Sequence, residues 1–132
     1  MKTLLFIPFL FVCSMAIGQS SKIIGVPFIA TSQGIEIAQF DFPNRMSWDE
    51  AKKACNDLGK GWRLPSLKEL DHLNFYRFKF GYFSNDNYWS SIQGMDDSAW
   101  CFDFQEGVTA PHFEGNAKKN NAFCVRAVRT IN

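Results

Sequence analysis

Between residues 46 and 73, apolar residues recur every three or four positions, which is the spacing of one helical face. Ser47 and Glu50 form an S-x-x-E capping box, and Gly59 can end the helix in a left-handed conformation. The apolar stripe between them consists of Trp48, Ala51, Ala54, Cys55 and Leu58. The pattern predicts a helix of about three turns.

A second helix is predicted shortly after the first. Pro65 disfavours helix at residues 63–64, and Ser66 and Glu69 repeat the capping box. Three leucines then fall on one face: Leu67, Leu70 and Leu73. Trp62, in the connection between the helices, is large and apolar, so we expect it to be buried.

Alternation of apolar and polar positions predicts strands in much of the remaining chain. The predicted strands are residues 23–29, 35–42, 88–92, 100–105, 108–113 and 122–128. Glu106 and Gly107 would form a two-residue hairpin turn, with Gly107 supplying a positive φ. Residues 75–87, 93–98 and 114–121 are expected to be loops or turns. Two early helices and a late antiparallel sheet predict an α+β fold, with two short helices packed on small antiparallel sheets.

The N-terminus has the pattern of a secretory signal peptide. Lys2 supplies a positive charge, residues 4–12 are almost purely apolar, and Ala16 and Gly18 are small residues at the cleavage positions. Cleavage after Gly18 would remove residues 1–18. The protein is therefore expected to be exported to the periplasm, the outer surface or the medium.

The same segment bears on membrane attachment. Its apolar run is shorter than the roughly 20 residues that a spanning helix needs, so no permanent membrane anchor is expected. Cys13 raises lipidation as an alternative, but Val12 stands where a lipobox has a small residue. After cleavage we expect a strand or linker segment at residues 19–34 and one domain at residues 35–132.

The charge composition of the chain limits the classes of partner that it can bind. The chain has 14 Lys and Arg against 13 Asp and Glu, and loss of Lys2 with the signal peptide makes the mature protein formally neutral. A neutral domain has no general attraction for nucleic acid, so no nucleic-acid partner is expected. Aromatic residues make up 16% of the chain, which predicts an aromatic core that includes Trp62 and Trp100.

Export makes disulfides possible. Cys55, Cys101 and Cys124 remain after processing, so at most one intramolecular bond can form. We favour a bond between Cys55 and Cys124, which would join the first helix to the last predicted strand. Pairing of Cys101 with Cys124 and three buried free thiols are the alternatives.

An enzyme would need an activated nucleophile. With the hairpin turn at residues 106–107, Cys101 would lie opposite His112, and a thiol beside an imidazole is the minimum arrangement. No third orienting residue or oxyanion donor accompanies the pair. Catalysis is therefore not expected.

Calcium is the one cofactor that the loops suggest. Asp96 and Asp97 with Gln93, and Asp86 with its neighbouring asparagines, form oxygen-rich segments of the kind that calcium uses. The same clusters are typical of ordinary turns. No His or Cys spacing suggests zinc, so no metal is expected, with calcium kept as the alternative.

Binding is the remaining class of function. Tyr82, Tyr88 and Trp89 could supply an aromatic platform for a sugar ring, and Lys118 and Lys119 a positive patch for a sulfated glycan. Asp96 and Asp97 belong to the long polar loops in which a binding site is expected. These seven residues are the candidate ligand contacts.

Several segments occur together in an order typical of one family: SWDEAKKAC, GWRLPSLKEL, YWSS, AWCFDF and FCVRAVR. Over roughly residues 35–129, they resemble the bacterial C-type-lectin-like domains of unknown function typified by the C-terminal domain of the collagen-like adhesin Lcl. The resemblance implies a C-type-lectin-like fold and supports the Cys55–Cys124 bond. The tripeptides with which calcium-dependent lectins hold sugar are absent, so calcium-mediated sugar binding is not implied.

The sequence therefore predicts an exported, non-enzymatic binding or adhesion module of the cell envelope or surface. Its expected ligand is an extracellular glycan or protein. The alternative is a structural or accessory envelope protein that binds no glycan.

Overall fold

The computed structural model describes residues 23–30, 32–105 and 114–132. The elements that lie wholly within these residues are two helices and seven strands. In chain order they are β1 (Phe28–Ala30), β2 (Ile35–Ile37), α1 (Trp48–Asp57), β3 (Trp62–Arg63), α2 (Leu67–Phe75), β4 (Asn87–Gln93), β5 (Ser98–Asp103), β6 (Glu114–Lys118) and β7 (Val128–Thr130). The predicted α+β architecture is confirmed, whereas the predicted signal peptide lies outside the described residues.

The strands form two antiparallel sheets. The first has the order β1-β2-β7-β3, and the second has the order β4-β5-β6. The segment that leads into β7 connects them, because the Trp89 amide donates to the Cys124 carbonyl (3.2 Å) and the Cys124 amide to the Asn87 carbonyl (3.0 Å). The late part of the chain therefore holds the two sheets together.

Both helices begin where the capping residues predict. The Ser47 hydroxyl accepts from the Glu50 amide at the start of α1. At α2, Ser66 and Glu69 form both bonds of the capping box, at 3.1 and 2.8 Å. The apolar faces that the spacing defined are the buried faces of the two helices.

Buried side chains form two groups. The first core contains Trp48 and Cys55 of α1 together with Trp62, Trp89 and Val125. The second core packs α2 and the sheets through the following residues: Ile35, Ile37, Leu70, Leu73, Tyr88, Phe102, Phe104, Cys124 and Val128. Trp62 is buried as predicted, and Trp100 is only half-buried.

The strands predicted at residues 88–92 and 100–105 are Asn87–Gln93 and Ser98–Asp103, whereas three other predicted strands are much shorter in the structure. The strand predicted at residues 23–29 is Phe28–Ala30, and the one predicted at residues 35–42 ends at Ile37. Beyond Ile37 the backbone bonds to changing partners, since the Gln39 amide donates to the Ile24 carbonyl (2.7 Å) and the Phe42 amide to the Val125 carbonyl (3.0 Å). For the same reason the last strand begins only at Val128.

The predicted hairpin register is also wrong. Residues 114–118, expected to be loop, form β6, and Gly115 rather than His112 lies opposite Cys101. β6 is an edge strand with the sequence EGNAK, which has no apolar alternation by which to recognise it. The predicted turn at residues 106–107 and His112 itself lie outside the described residues.

A fully buried guanidinium connects the elements of this fold. Arg126 donates from Nε to the Asp41 carboxylate (2.7 Å) and from Nη1 to the carbonyls of Ala38 (3.1 Å) and Phe80 (3.0 Å). Its Nη2 donates to the Tyr82 carbonyl. One side chain thus bonds to the segment after β2 and to the loop after α2.

The network continues from Asp41 to β4. The second Asp41 oxygen accepts from the Tyr88 hydroxyl (2.6 Å), which in turn accepts from the Ser84 amide (2.8 Å). Burial, and then the charge of Asp41, raise the pKa of Tyr88, so the phenol stays protonated and remains a donor. We call Arg126, Asp41 and Tyr88 the central network.

Replacing Arg126 with methionine should destabilise the protein by about 3–5 kcal/mol. The substitution keeps an unbranched chain but removes the counter-charge and one of the two donors of the Asp41 carboxylate, and the Arg126 donors to three carbonyls. Urea unfolding followed by tryptophan fluorescence measures the change.

The control is Lys53→Met, which removes an exposed ion pair with Asp57 and should cost less than about 1 kcal/mol. A free energy of unfolding for Arg126→Met within about 1 kcal/mol of wild type would show that the central network does not support the fold.

Candidate binding surface

The last residue of α2 and the loop that follows it expose three large aromatic side chains. Phe75 is 73% exposed, Phe78 is 89% exposed and Tyr82 is 87% exposed. Single exposed apolar residues are ordinary, but a group of them on one segment is typical of an interaction surface. We call residues 75–82 the aromatic loop and these three side chains its exposed aromatics.

The central network holds the aromatic loop from beneath. Arg126 binds the carbonyls of Phe80 and Tyr82, on either side of Gly81. Gly81 has φ +87°, and a Cβ atom there would lie 2.6 Å from the Gln39 carbonyl oxygen. Only glycine therefore fits this close approach.

A second arginine fixes the end of the loop. Arg77 donates from Nη1 to the Phe104 carbonyl (3.0 Å), and from Nη2 to the Phe83 carbonyl (3.3 Å) and the Asn85 side-chain oxygen (2.6 Å). The loop is thereby tied to the end of β5 and to the segment that enters β4. Its backbone is bonded inwards while its three exposed aromatics face solvent.

A small cavity opens beside two of the exposed aromatics. Its volume is about 60 Å³, and it is lined by Arg77, Phe78, Gly81, Tyr82, Phe83 and Asn85. Pockets for small-molecule ligands usually measure about 300–1,000 Å³. The cavity is therefore a dimple, too small to be a ligand pocket.

A larger groove, of about 430 Å³, lies beside β7. Two of its charged side chains bind each other, since Arg129 donates to Glu36 (2.6 Å), and the Arg129 guanidinium lies 4.7 Å from the centroid of the Trp62 ring. Lys60 is the third charged side chain of its lining. This groove offers less distinctive chemistry than the aromatic loop.

The predicted ligand contacts do not form one site. Tyr82 is exposed as expected, but Tyr88 and Trp89 are fully buried, so their assignment to a sugar platform is wrong. Tyr88 belongs to the central network, and the Trp89 indole donates to the Met46 carbonyl (2.9 Å). Both faces of β4 are covered at this point, which the short YWSS sequence does not distinguish from one covered face.

The four charged candidates lie together elsewhere. Asp96 and Asp97 are in the β4–β5 turn, the Lys119 amide donates to the Asp97 carbonyl (2.9 Å), and Lys118 pairs with Ser98. The aromatic loop precedes the other end of β4, and the two ends of such a strand are roughly 20 Å apart. The acidic and basic candidates therefore form a group separate from Tyr82.

No group of three or more His, Cys, Asp or Glu side chains in the described part of the chain is placed to hold a metal ion. Asp96 has φ +51°, the conformation of a turn residue.

The family model described as the Lcl C-terminal domain matches residues 29–129, which is more than half of the chain. The chain belongs to the Lcl C-terminal domain family. Comparison with curated proteins finds no significant match.

The match of the Lcl C-terminal domain spans the whole aromatic loop. Phe75 and Phe78 were not among the predicted contacts. The run FYRFKF at residues 75–80, in a segment predicted to be loop, was the pattern that could have indicated them. A solvent-facing loop with so many aromatics cannot bury all of them.

Within the described residues of this Lcl C-terminal domain, no helix is both long enough and apolar enough to span a bilayer.

The cysteines differ from the predicted pairing. Cys55, Cys101 and Cys124 are buried free thiols, so the structure has no Cys55–Cys124 bond. Phe123 and Val125 contact the first core, whereas Cys124, on the opposite side of the same extended segment, belongs to the second core. Cys55 lies in the first core, on the wrong side for a bond to Cys124.

Cys101, like Cys55, is buried in the first core. The Cys101 thiol donates to the Gly115 carbonyl (3.4 Å), and burial raises the pKa of Cys101. Burial also raises the pKa of Cys55, to about 12. All three cysteines pack as small apolar side chains.

The native protein without residues 1–18 should react slowly with a thiol reagent at pH 8, and fully once denatured. The reactive species is the thiolate, and at pH 8 a thiol with a pKa of about 12 is almost entirely protonated. Spectrophotometric titration with Ellman's reagent, in buffer and in urea, measures both rates. A Cys55–Cys124 linked peptide in a non-reducing digest would contradict the structure, and a reduced sample is the control.

Replacing Gly81 with alanine should destabilise the protein more than replacing Gly34. Both glycines have positive φ, but a Cβ atom at Gly34 meets nothing within 4 Å. Gly34→Ala should therefore cost only backbone strain, about 1–2 kcal/mol, and Gly81→Ala about 3 kcal/mol because the Gln39 carbonyl must move. Urea unfolding measures both free energies.

Limited trypsin digestion locates the effect. Trypsin should cut Gly81→Ala faster after Arg77 and Lys79, and Gly34→Ala should be cut there at the wild-type rate. Equal cutting of the two variants would show that Gly81 does not position the aromatic loop.

Proposed function

We propose that this Lcl C-terminal domain is a non-enzymatic binding or adhesion module, exported to the cell envelope or surface, that holds a glycan or protein ligand against the aromatic loop. The observation that carries the proposal is the exposure of Phe75, Phe78 and Tyr82 on a loop fixed by two arginines. The signal-peptide pattern at residues 1–18 supports export.

The energetics favour binding. Covering one exposed Phe or Tyr ring contributes about 1.5–3 kcal/mol, so a partner that covers all three gains several kcal/mol. The loop is already ordered by Arg77 and Arg126, so little conformational entropy is lost when a partner binds. An exposed and preorganised apolar surface is what a binding module requires.

Phe78→Ser combined with Tyr82→Ser should weaken binding at least about tenfold, because the double variant loses the two most exposed rings of the loop. The mature protein is tested on an array of neutral, sulfated and carboxylated glycans and on intact cells of the producing organism. The melting temperature should stay within about 3 °C of wild type, since neither side chain is buried.

Met95→Ser is the matched control, because Met95 is also exposed and apolar but lies in the β4–β5 turn. It should bind as wild type does. Equal binding by the double variant would exclude the aromatic loop as the contact surface. Absence of wild-type binding to both glycans and cells would favour the accessory-protein alternative.

A further inference from the structure

We infer that the partner of the aromatic loop is a protein segment that presents apolar side chains flanked by carboxylates, rather than a glycan. The inference rests on the proposed function, because it names the class of ligand that the same surface takes. Three properties of the loop carry it: where its polar groups point, its shape and its charge.

The polar groups of the loop are bonded inwards. The carbonyls of Phe80 and Tyr82 accept from Arg126, and Arg77 donates to two carbonyls and to the Asn85 side chain. A sugar ring can stack its C–H face on an aromatic ring, but its hydroxyl groups then need polar partners beside that ring, and a hydroxyl that loses water without a new partner costs free energy. Apolar side chains carry no such cost.

The shape of the surface suits a protein side chain. The dimple between Phe78 and Tyr82 holds about 60 Å³, room for the end of one apolar side chain and far less than a ligand pocket. Exposed Phe and Tyr around a small recess are typical of the anchors that dominate protein–protein interfaces.

The charge of the loop indicates acidic residues in the partner. From residue 72 to residue 85 the ionisable groups of the sequence are His72, Arg77, Lys79 and the tyrosine phenols, with no Asp or Glu. Lys79 is exposed, with its ammonium 5.0 Å from the centroid of the Tyr76 ring. Asp71 borders this segment on one side and Asp86, which is ion-paired with Arg45, on the other. Asp71 offsets only one of the two cations Arg77 and Lys79, so the local field is positive.

The positive charge of the aromatic loop is confined to too small an area to bind a sulfated glycan chain. Arg77 is half-buried and bonded to internal acceptors, so Lys79 is the exposed strong cation of residues 72–85. Lys118 and Lys119 lie towards the other end of β4. One exposed lysine among aromatic rings complements one or two carboxylates beside an apolar side chain.

A random peptide display library, panned against the mature protein and depleted on the Phe78→Ser/Tyr82→Ser variant, tests the inference. We expect enriched peptides to combine Leu, Ile, Phe or Trp with neighbouring Asp or Glu. Synthetic copies should bind wild type and Met95→Ser equally, and the double variant at least about tenfold more weakly. Lys79→Glu should weaken binding about threefold to tenfold, with a smaller loss at high salt.

The outcomes separate the inference from the proposed function. No enriched peptide, or enriched peptides that bind the double variant equally well, overturns the inference. If glycans on the array then bind through Phe78 and Tyr82, the proposed function stands with a glycan as ligand. If neither peptides nor glycans nor cells bind, both proposals fail.

Discussion

The fold depends on the buried guanidinium of Arg126. Asp41 and Arg126 are 85 positions apart in the chain, and their ion pair joins the segment after β2 to the segment before β7. The same guanidinium holds the aromatic loop, and Asp41 extends the contact to Tyr88 of β4. Arginine suits this place because its planar group offers five donors in a fixed arrangement, which lysine cannot match.

The central network also explains why the aromatic loop can expose its rings. A loop must satisfy its backbone carbonyls, usually with water. Here Arg126 and Arg77 satisfy them from inside, and Phe80 and Phe83 pack beneath the surface. Phe78 and Tyr82 are left outside on a backbone that stays in place without them. The contacts that hold the backbone of the aromatic loop therefore do not involve the side chains that would contact a ligand.

The helices could be predicted because their determinants are local. Capping residues and apolar spacing act within one or two turns, so Ser47 and Ser66 mark both starts correctly. The register of β5 with β6 could not be predicted, because it depends on where the chain returns after residue 103. The sequence of β6 has no apolar alternation that would mark the return. The Cys55–Cys124 pairing failed for a related reason, since it depends on which side of residues 123–125 faces which core.

Prediction of the site was limited in the same way. Tyr82 is exposed, as a ligand contact must be, but no local pattern distinguishes it from Phe80 and Phe83, which pack inwards. The backbone conformation that decides which rings face outwards is fixed by Arg126, more than forty positions away, which donates to the Phe80 and Tyr82 carbonyls. For the same reason Tyr88 appeared to be a ligand contact, although its hydroxyl is bonded to Asp41 within the core.

Because the three cysteines are free thiols, the described part of the fold is held together by non-covalent contacts such as the central network. Small exported domains commonly gain stability from disulfides, and a Cys55–Cys124 bond would have closed a long loop between the helical and strand halves. The structure has no such bond, and the Arg126–Asp41 ion pair instead joins the segment after β2 to the segment before β7. Arg126 therefore both helps to hold the late part of the chain to the early part and positions the aromatic loop, so stability and presentation of the binding surface should change together.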